Sequence, residues 1–219
     1  MSMQEDGPNY SVIIRNRNEE RFIGYAIQSV VDSLRDPEII VMDNNSSDDS
    51  MDIVRMFEKW HDIKVGSIED YSPGRSINHA VEMASNEHLM ILSAHCIITR
   101  FDASDIEEKL KSYASVFGKQ IPVYKGRRIS RRYIWHNFGA EPKENPWAEE
   151  EDRWFLHNAM ACYRKSVLQE FPFDEELYGK EDRYWAKDVI EADRKILYDP
   201  SMECTHHWTT NGATWKGIG

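Results

Sequence analysis

What the chain lacks narrows it first. No apolar run approaches the roughly 18 residues that a membrane span requires, so no transmembrane segment is expected. Cysteine is scarce: three residues, widely spaced, cannot form a disulfide framework and fit a reducing cytosol, so the expected location is cytoplasmic. There is no low-complexity tract and no internal repeat. Residues 1–9 read as a leader, polar and acidic, without the basic-then-apolar order of a signal peptide. Positive charge is in deficit, with 27 Lys and Arg against 38 Asp and Glu, a net charge of −11 that disfavours nucleic-acid binding. The acids concentrate in 141–193. Arg127, Arg128, Arg131 and Arg132 form one local basic cluster, open to an anionic acceptor, a membrane headgroup surface or plain solvation.

What is present suits one domain with a proper core: 219 residues, 41% of them hydrophobic. Four apolar runs, at 10–14, 38–42, 63–65 and 89–92, read as strands. Between them, apolar residues recur at helical spacing: Phe22, Ile23, Ala26, Ile27, Val30, Val31 and Leu34, then Ile53, Met56, Phe57 and Trp60, then Ile77, Ala80, Val81 and Ala84. Ser47 or Asp48 can cap the second helix. Strand–helix alternation with short connections implies a three-layer α/β fold around a mainly parallel, Rossmann-like sheet. The second half is less regular. Helices are expected over 105–113, from 165 and over 181–192, strands over 115–123, 196–198 and 202–205, and a partly helical excursion over 125–153. Tyr133, Trp135, Phe138, Trp147 and Trp154 in or beside it can stack on sugar rings or simply pack.

In parallel sheets ligands collect at the carboxyl ends of the strands. The run Leu89-Met90-Ile91-Leu92 stops at Ser93-Ala94-His95-Cys96, a hydroxyl, an imidazole and a thiol with no carboxylate. Asp43-Asn44-Asn45-Ser46-Ser47-Asp48 follows the second strand, where a carboxylate can accept from a base or ribose, or the loop can merely start a helix. Glu181-Asp182 opens a helix whose dipole favours the ionised form that a general base needs. Two acids in a first helical turn can equally be decoration.

Taken in order, Ser11-Val12-Ile13-Ile14, Asn18-Glu19-Glu20, the segment ending in Asp43-Asn44-Asn45-Ser46-Ser47-Asp48, Ser72-Pro73-Gly74-Arg75-Ser76-Ile77-Asn78, His157-Asn158-Ala159, Phe173-Asp174-Glu175, Glu181-Asp182 with Trp185-Ala186, and His206-His207 resemble family 2 glycosyltransferases of the GT-A fold. The likeness covers most of 10–208. It is nearest to bacterial rhamnosyltransferase-like members, which often carry Ser-Ala-His after strand four. It implies a single GT-A domain over 10–219, with 10–100 binding the nucleotide-sugar donor and 101–219 the acceptor. It also implies an enzyme of surface polysaccharide synthesis that inverts the transferred sugar onto a glycan or lipid-linked acceptor, with peripheral membrane association. By the same resemblance Asp43 contacts the nucleotide, Arg15, Asn16, Asn18 and Glu19 form the opposite wall, Arg75 and Asn78 lie near it, and Asp182, beside Glu181, is the base.

The chain departs from that family where most members place Asp-x-Asp to hold a divalent cation on the donor diphosphate. Ser93 and His95 occupy those positions. A Ser/His pair is a poor Mg²⁺ site, whereas imidazole suits Mn²⁺ or Zn²⁺. Three readings stay open: His95 with His206 or His207 holds one such cation; the site is metal-free, with His95, Arg75 or another cation facing the phosphates; or Cys96, Cys204, His95 and His206 form a structural zinc site. Two other function classes remain. A sugar nucleotidyltransferase should carry a glycine-rich phosphate loop after strand one, and Arg15-Asn16-Arg17-Asn18-Glu19 has no glycine. A non-catalytic nucleotide- or glycan-binding module would account for the missing carboxylates.

Overall fold

The structure, a computed structural model, describes residues 9–129 and 138–210. Most of the leader, and Arg131, Arg132, Tyr133 and Trp135, lie outside the described residues. Four parallel strands, β1 (Tyr10–Asn16), β2 (Glu38–Asp43), β3 (Ile63–Ser67) and β4 (His88–Ser93), stand in the order β3-β2-β1-β4. They are joined by α1 (Ile23–Ser33), α2 (Ser50–Phe57) and α3 (Pro73–Met83). After β4 the chain turns directly into β5 (Cys96–Arg100), then α4 (Ala103–Leu110), β6 (Ser115–Tyr124) and β7 (Arg127–Arg128). Short strands β8 (Lys143–Glu144), β9 (Trp147–Ala148) and β10 (Arg153–Trp154) precede β11 (Met160–Arg164), α5 (Lys165–Glu170), α6 (Glu181–Glu191) and β12 (Ile196–His207). The sheet continues past β4 as β11-β6-β12-β5, with β11 and β5 the antiparallel members of the path. The mixed, mostly parallel α/β fold expected from the alternation is therefore present.

Its strands lack polar alternation because both faces are covered. Val12, Ile14, Val41, Met90 and Leu92 enter the layer under α1 and α4. Ile13, Ile40 and Ile91 point the other way, against Ile77 and Ala80 of α3, Val167 of α5 and Trp185 of α6. One reading of the second half is corrected: the two C-terminal strands are one, β12, with an irregularity between Asp199 and Glu203. The excursion expected over 125–153 lies partly outside the described residues, and those described there include the short strands β7 to β10. In α2 Ser50 and Val54 are buried and the expected Ile53 and Phe57 pack against the core, while Met56 (63% exposed) and Trp60 (83%) face outward. The helix ends at Phe57, so the period cannot be extended to Trp60. Its cap position is Asp49, and the Asp48 carboxylate accepts from the Ser50 N–H at 3.0 Å.

At the sheet's other end Glu38 is buried and fully bonded. It accepts from Ser11, Lys64, the Ser85 N–H (2.8 Å) and the Ser85 hydroxyl (2.7 Å). Burial by itself raises a carboxyl pKa, but the bonds from Lys64, Ser11 and Ser85 outweigh it and hold Glu38 at about 2. A depressed pKa stabilises the fold above the unfolded value and loses that contribution as pH falls through the folded one. Glu38→Gln is therefore expected to cost about 2 kcal/mol at pH 7. The gap from wild type should narrow between pH 4.5 and 2 in urea titrations. A gap that stays constant over that window would show that the charge is not what stabilises.

Candidate active site

Pairing register sets Arg15 beside Met42 and Ser93, and Asn16 beside Asp43, so the ends of β1, β2 and β4 form one rim. Asn16 is buried and donates from Nδ2 to Asp43 Oδ1 (3.0 Å) and Ser46 Oγ (3.1 Å). Asp43 also accepts from the Ser46 hydroxyl (2.6 Å) and N–H (3.1 Å). Asn18 locks the facing loop: its N–H donates to Ser46 Oγ (2.9 Å) and its Oδ1 accepts from Ser47 N–H (2.7 Å). Asn18 (φ 53°) and Asn45 (φ 51°) both sit in the left-handed region that asparagine tolerates better than most residues. Among the described residues Asn16 Oδ1 is buried and has no partner, an acceptor suited to an N–H of a ligand.

Across this rim stands the start of α6. Lys180, the cap residue, has φ 61°, a conformation that costs about 1–2 kcal/mol for a side chain with a Cβ and often marks a functional turn. Glu181 Oε1 accepts from Arg15 Nη1 at 3.2 Å. Burial, then the neighbouring Asp182 charge, raise the Glu181 pKa against the opposing pull of Arg15. Asp182 is 7% exposed; its Oδ2 accepts from Arg183 Nη1 (2.7 Å) and the Asn158 N–H (3.3 Å), and its Oδ1 from the Arg183 N–H (2.9 Å). Arg183 lies 4.0 Å over the Phe155 ring, donates to the Leu156 carbonyl (2.8 Å) and reaches Glu151 (3.5 Å). The sequence placed Asn158 in the motif His157-Asn158-Ala159 and Arg183 directly after Asp182, but their partnership with Asp182 appears only in the structure.

The third side is imidazole. His95 and His206 stack with ring centroids 4.9 Å apart. His95 Nδ1 lies 3.1 Å from Glu19 Oε1, and His206 Nδ1 meets Gln120 Oε1. Burial first, then the neighbouring histidines, push the His206 pKa well down, which favours the neutral ring that can ligate. The two candidates for partnering His95 thus separate. His207 stacks instead on Phe22 at 4.6 Å and joins His95 through its backbone, its N–H donating to the His95 carbonyl (2.9 Å). No group of three or more His, Cys, Asp or Glu that could hold a metal ion occurs among the described residues, which corrects the four-residue zinc alternative. Burial, then Cys204, raise the Cys96 pKa well above the usual thiol value, keeping it protonated. His95 and His206 would be the residues to hold a cation here, and paired imidazoles would suit a borderline transition ion better than Mg²⁺.

The structure does not bring Arg75 and Asn78 into this group as free side chains. Arg75 pairs with Asp70 (2.5 Å), Glu175 (3.2 Å) and Glu176 (3.5 Å). Asn78 donates to the Phe173 carbonyl (2.8 Å) and accepts from its N–H (3.0 Å). Both fasten α3 to the loop before α6. A side chain at Gly74 would fall on the Asp174 carbonyl, so that contact is close-packed.

A sequence model of the family described as Glycosyl transferase family 2 matches residues 11–172. The GalNAc(5)-diNAcBac-PP-undecaprenol beta-1,3-glucosyltransferase of Campylobacter jejuni is 28% identical over 186 residues, 81% of this chain and 59% of that protein. Among solved structures, S. aureus TarS 1-349 in complex with UDP-GlcNAc has a TM-score of 0.72 at 20% identity, over 95% of this chain and 61% of that one. The mannosyltransferase PcManGT from Pyrobaculum calidifontis, in complex with GDP-Man and Mn²⁺, has a TM-score of 0.68 at 18% identity, over 94% and 59%. At these identities the structural likeness establishes the fold. The chain spans about 60% of the length of these relatives.

Proposed function

The chain belongs to glycosyl transferase family 2, and from that premise we propose that it moves a sugar from a nucleoside-diphosphate donor to an acceptor hydroxyl with inversion. The observation that carries the reading is the meeting, at one rim of the sheet, of the Asn16–Asp43–Ser46 network, the Arg15–Glu181 and Asp182–Arg183 pairs, and the His95–His206 stack. Asp43 and Asn16 would present oxygen acceptors to the base or ribose. Asp182 would take the proton of the acceptor hydroxyl as that oxygen attacks the anomeric carbon from the face opposite the departing diphosphate. Arg15 remains charged, because Tyr71, Glu181 and Asp182 outweigh the effect of its burial, and would face the developing negative charge. A divalent cation, Mn²⁺ rather than Mg²⁺, would be held by His95 and His206 and would neutralise the leaving phosphates when bound.

UDP is the first nucleotide to test, since TarS binds UDP-GlcNAc, with GDP second. By analogy with the Campylobacter relative the acceptor is a glycan, carried on a lipid in a bacterial surface pathway. That implies peripheral contact with a membrane and a cytoplasmic location. Among the described residues no helix is long and apolar enough to cross a membrane. We assign donor binding to 10–100 and acceptor binding to 101–219 of a single domain.

UDP at a hundred times its Kd should stabilise by about 2.7 kcal/mol, raising Tm by about 5–10 °C in a chain of this size. EDTA should shrink the shift and Mn²⁺ restore it. Asp43→Ala, which unties the loop, should weaken UDP binding by about tenfold or more. If no nucleoside diphosphate raises Tm, with or without Mn²⁺, the donor assignment fails. Binding without any slow release of free sugar across a donor panel would make the chain a binding module instead.

A further inference from the structure

We propose that Glu19 is a positioning residue for His95: it fixes that ring in the Nδ1–H form and so presents an unprotonated Nε2 to a cation on the donor diphosphate. The inference rests on the reading that His95 faces the donor. Glu19 Oε1 lies 3.1 Å from His95 Nδ1 and accepts from Thr209 Oγ1 at 2.8 Å, so two elements far apart in sequence converge on one carboxylate oxygen. The Glu19 side chain is only 6% exposed, and the oxygen facing His95 is the one that already accepts from Thr209, so the proton it shares with Nδ1 is assigned to the ring. A neutral imidazole that donates from Nδ1 carries its lone pair on Nε2, the opposite edge.

The main chain of Glu19 is fixed as well. The Glu19 carbonyl accepts from Phe22 and Ile23 N–H (both 2.9 Å), opening α1, and its own N–H donates to Ser50 Oγ (2.8 Å) at the start of α2. On the other side the His95 carbonyl is tied to His207 and its ring lies against His206. The main chain of Glu19 is thus anchored where two helices begin, while its carboxylate is held by His95 and Thr209, and together these orient the pair. Thr209, just past β12, adds a second donor and fastens the segment beyond the sheet to the same oxygen. In this proposal Glu19, expected from the family resemblance on the wall of the nucleotide pocket, acts there through His95.

Long-range ¹H–¹⁵N correlation on histidine-labelled, EDTA-treated protein at pH 8 reads the tautomer directly. Wild type should show the proton on Nδ1 of His95. Glu19→Met removes the acceptor and should move the proton to Nε2, with UDP–Mn²⁺ affinity falling about tenfold or more. Glu19→Gln keeps a carbonyl acceptor and should retain the Nδ1–H form. A wild-type ring protonated on Nε2 overturns the proposal, as does Glu19→Met leaving Nδ1–H in place. Should the Met variant not fold, the wild-type spectrum decides alone. Adding UDP and Mn²⁺ separates the two layers: Nδ1–H with no change at His95 removes the donor-site reading while Glu19's hold on the ring stands.

Discussion

Asp182→Asn is expected to lower kcat for sugar transfer by about three orders of magnitude, the usual contribution of a positioned general base, while UDP binding stays within about twofold. The carboxylate has three donors around it, the N–H groups of Asn158 and Arg183 and the Arg183 guanidinium, which fix its direction. An amide of the same shape cannot take the acceptor's proton, and its NH₂ would confront one of those donors. Some stability should be lost as well, so the readout is single-turnover transfer at saturating donor, with Tm and UDP affinity as controls. Glu181→Gln is the comparison. That carboxylate faces Arg15 and its pKa is raised by burial and by Asp182, so a milder loss is expected. If Asp182→Asn transfers sugar at the wild-type rate, Asp182 is not the base. A Glu181 variant that is the more damaged of the two would move the role one residue.

Trp185→Ala should cost about 3–5 kcal/mol, the range for removing a large aromatic from a packed core. Trp185 is 2% exposed, stacks on Phe173 at 5.6 Å, meets Tyr163 edge-on at 5.2 Å and donates from Nε1 to the Phe171 carbonyl at 2.7 Å. Its removal leaves a cavity and an unpaired carbonyl together. In a chain of this size the fall in Tm should be about 10 °C or more. Because Trp185 lies one turn into the helix that Asp182 opens, the folded fraction should also lose kcat. Trp185→Phe retains the ring contacts but not the N–H and should fall between. A drop of less than 3 °C for the alanine variant would show that α6 is anchored elsewhere.

Much of the frame was legible in the order of residues. Strands such as Leu89-Met90-Ile91-Leu92 have no polar alternation because helices cover both faces, and that signature survives in a single sequence. Helix α3 was legible too from its apolar stripe, and the structure adds its cap, Ser72, whose hydroxyl accepts from the Arg75 N–H at 3.1 Å. The reading of α2 failed at Trp60 because periodicity does not mark where the helix stops, and at Met56 because that residue lies on the opposite side of the helix from buried Val54. The split of Ile196–His207 into two strands failed because Pro200 and Ser201 look like a break, whereas the sheet carries the chain across them with an irregularity.

The site itself divides along the same line. Side-chain chemistry at strand ends is local, so the sequence alone could nominate Asp43, His95 and Asp182 and note the missing carboxylates at Ser93 and His95. Partnership is not local. Arg15 meets Glu181 across 166 residues, Glu19 meets His95 across 76, and Thr209 meets Glu19 across 190. Those pairs exist because a mostly parallel sheet gathers the carboxyl ends of separate strands onto one rim. Only the packed structure decided that His206, and not His207, lies against His95, since alternation along β12 turns one ring inward and leaves its neighbour on Phe22.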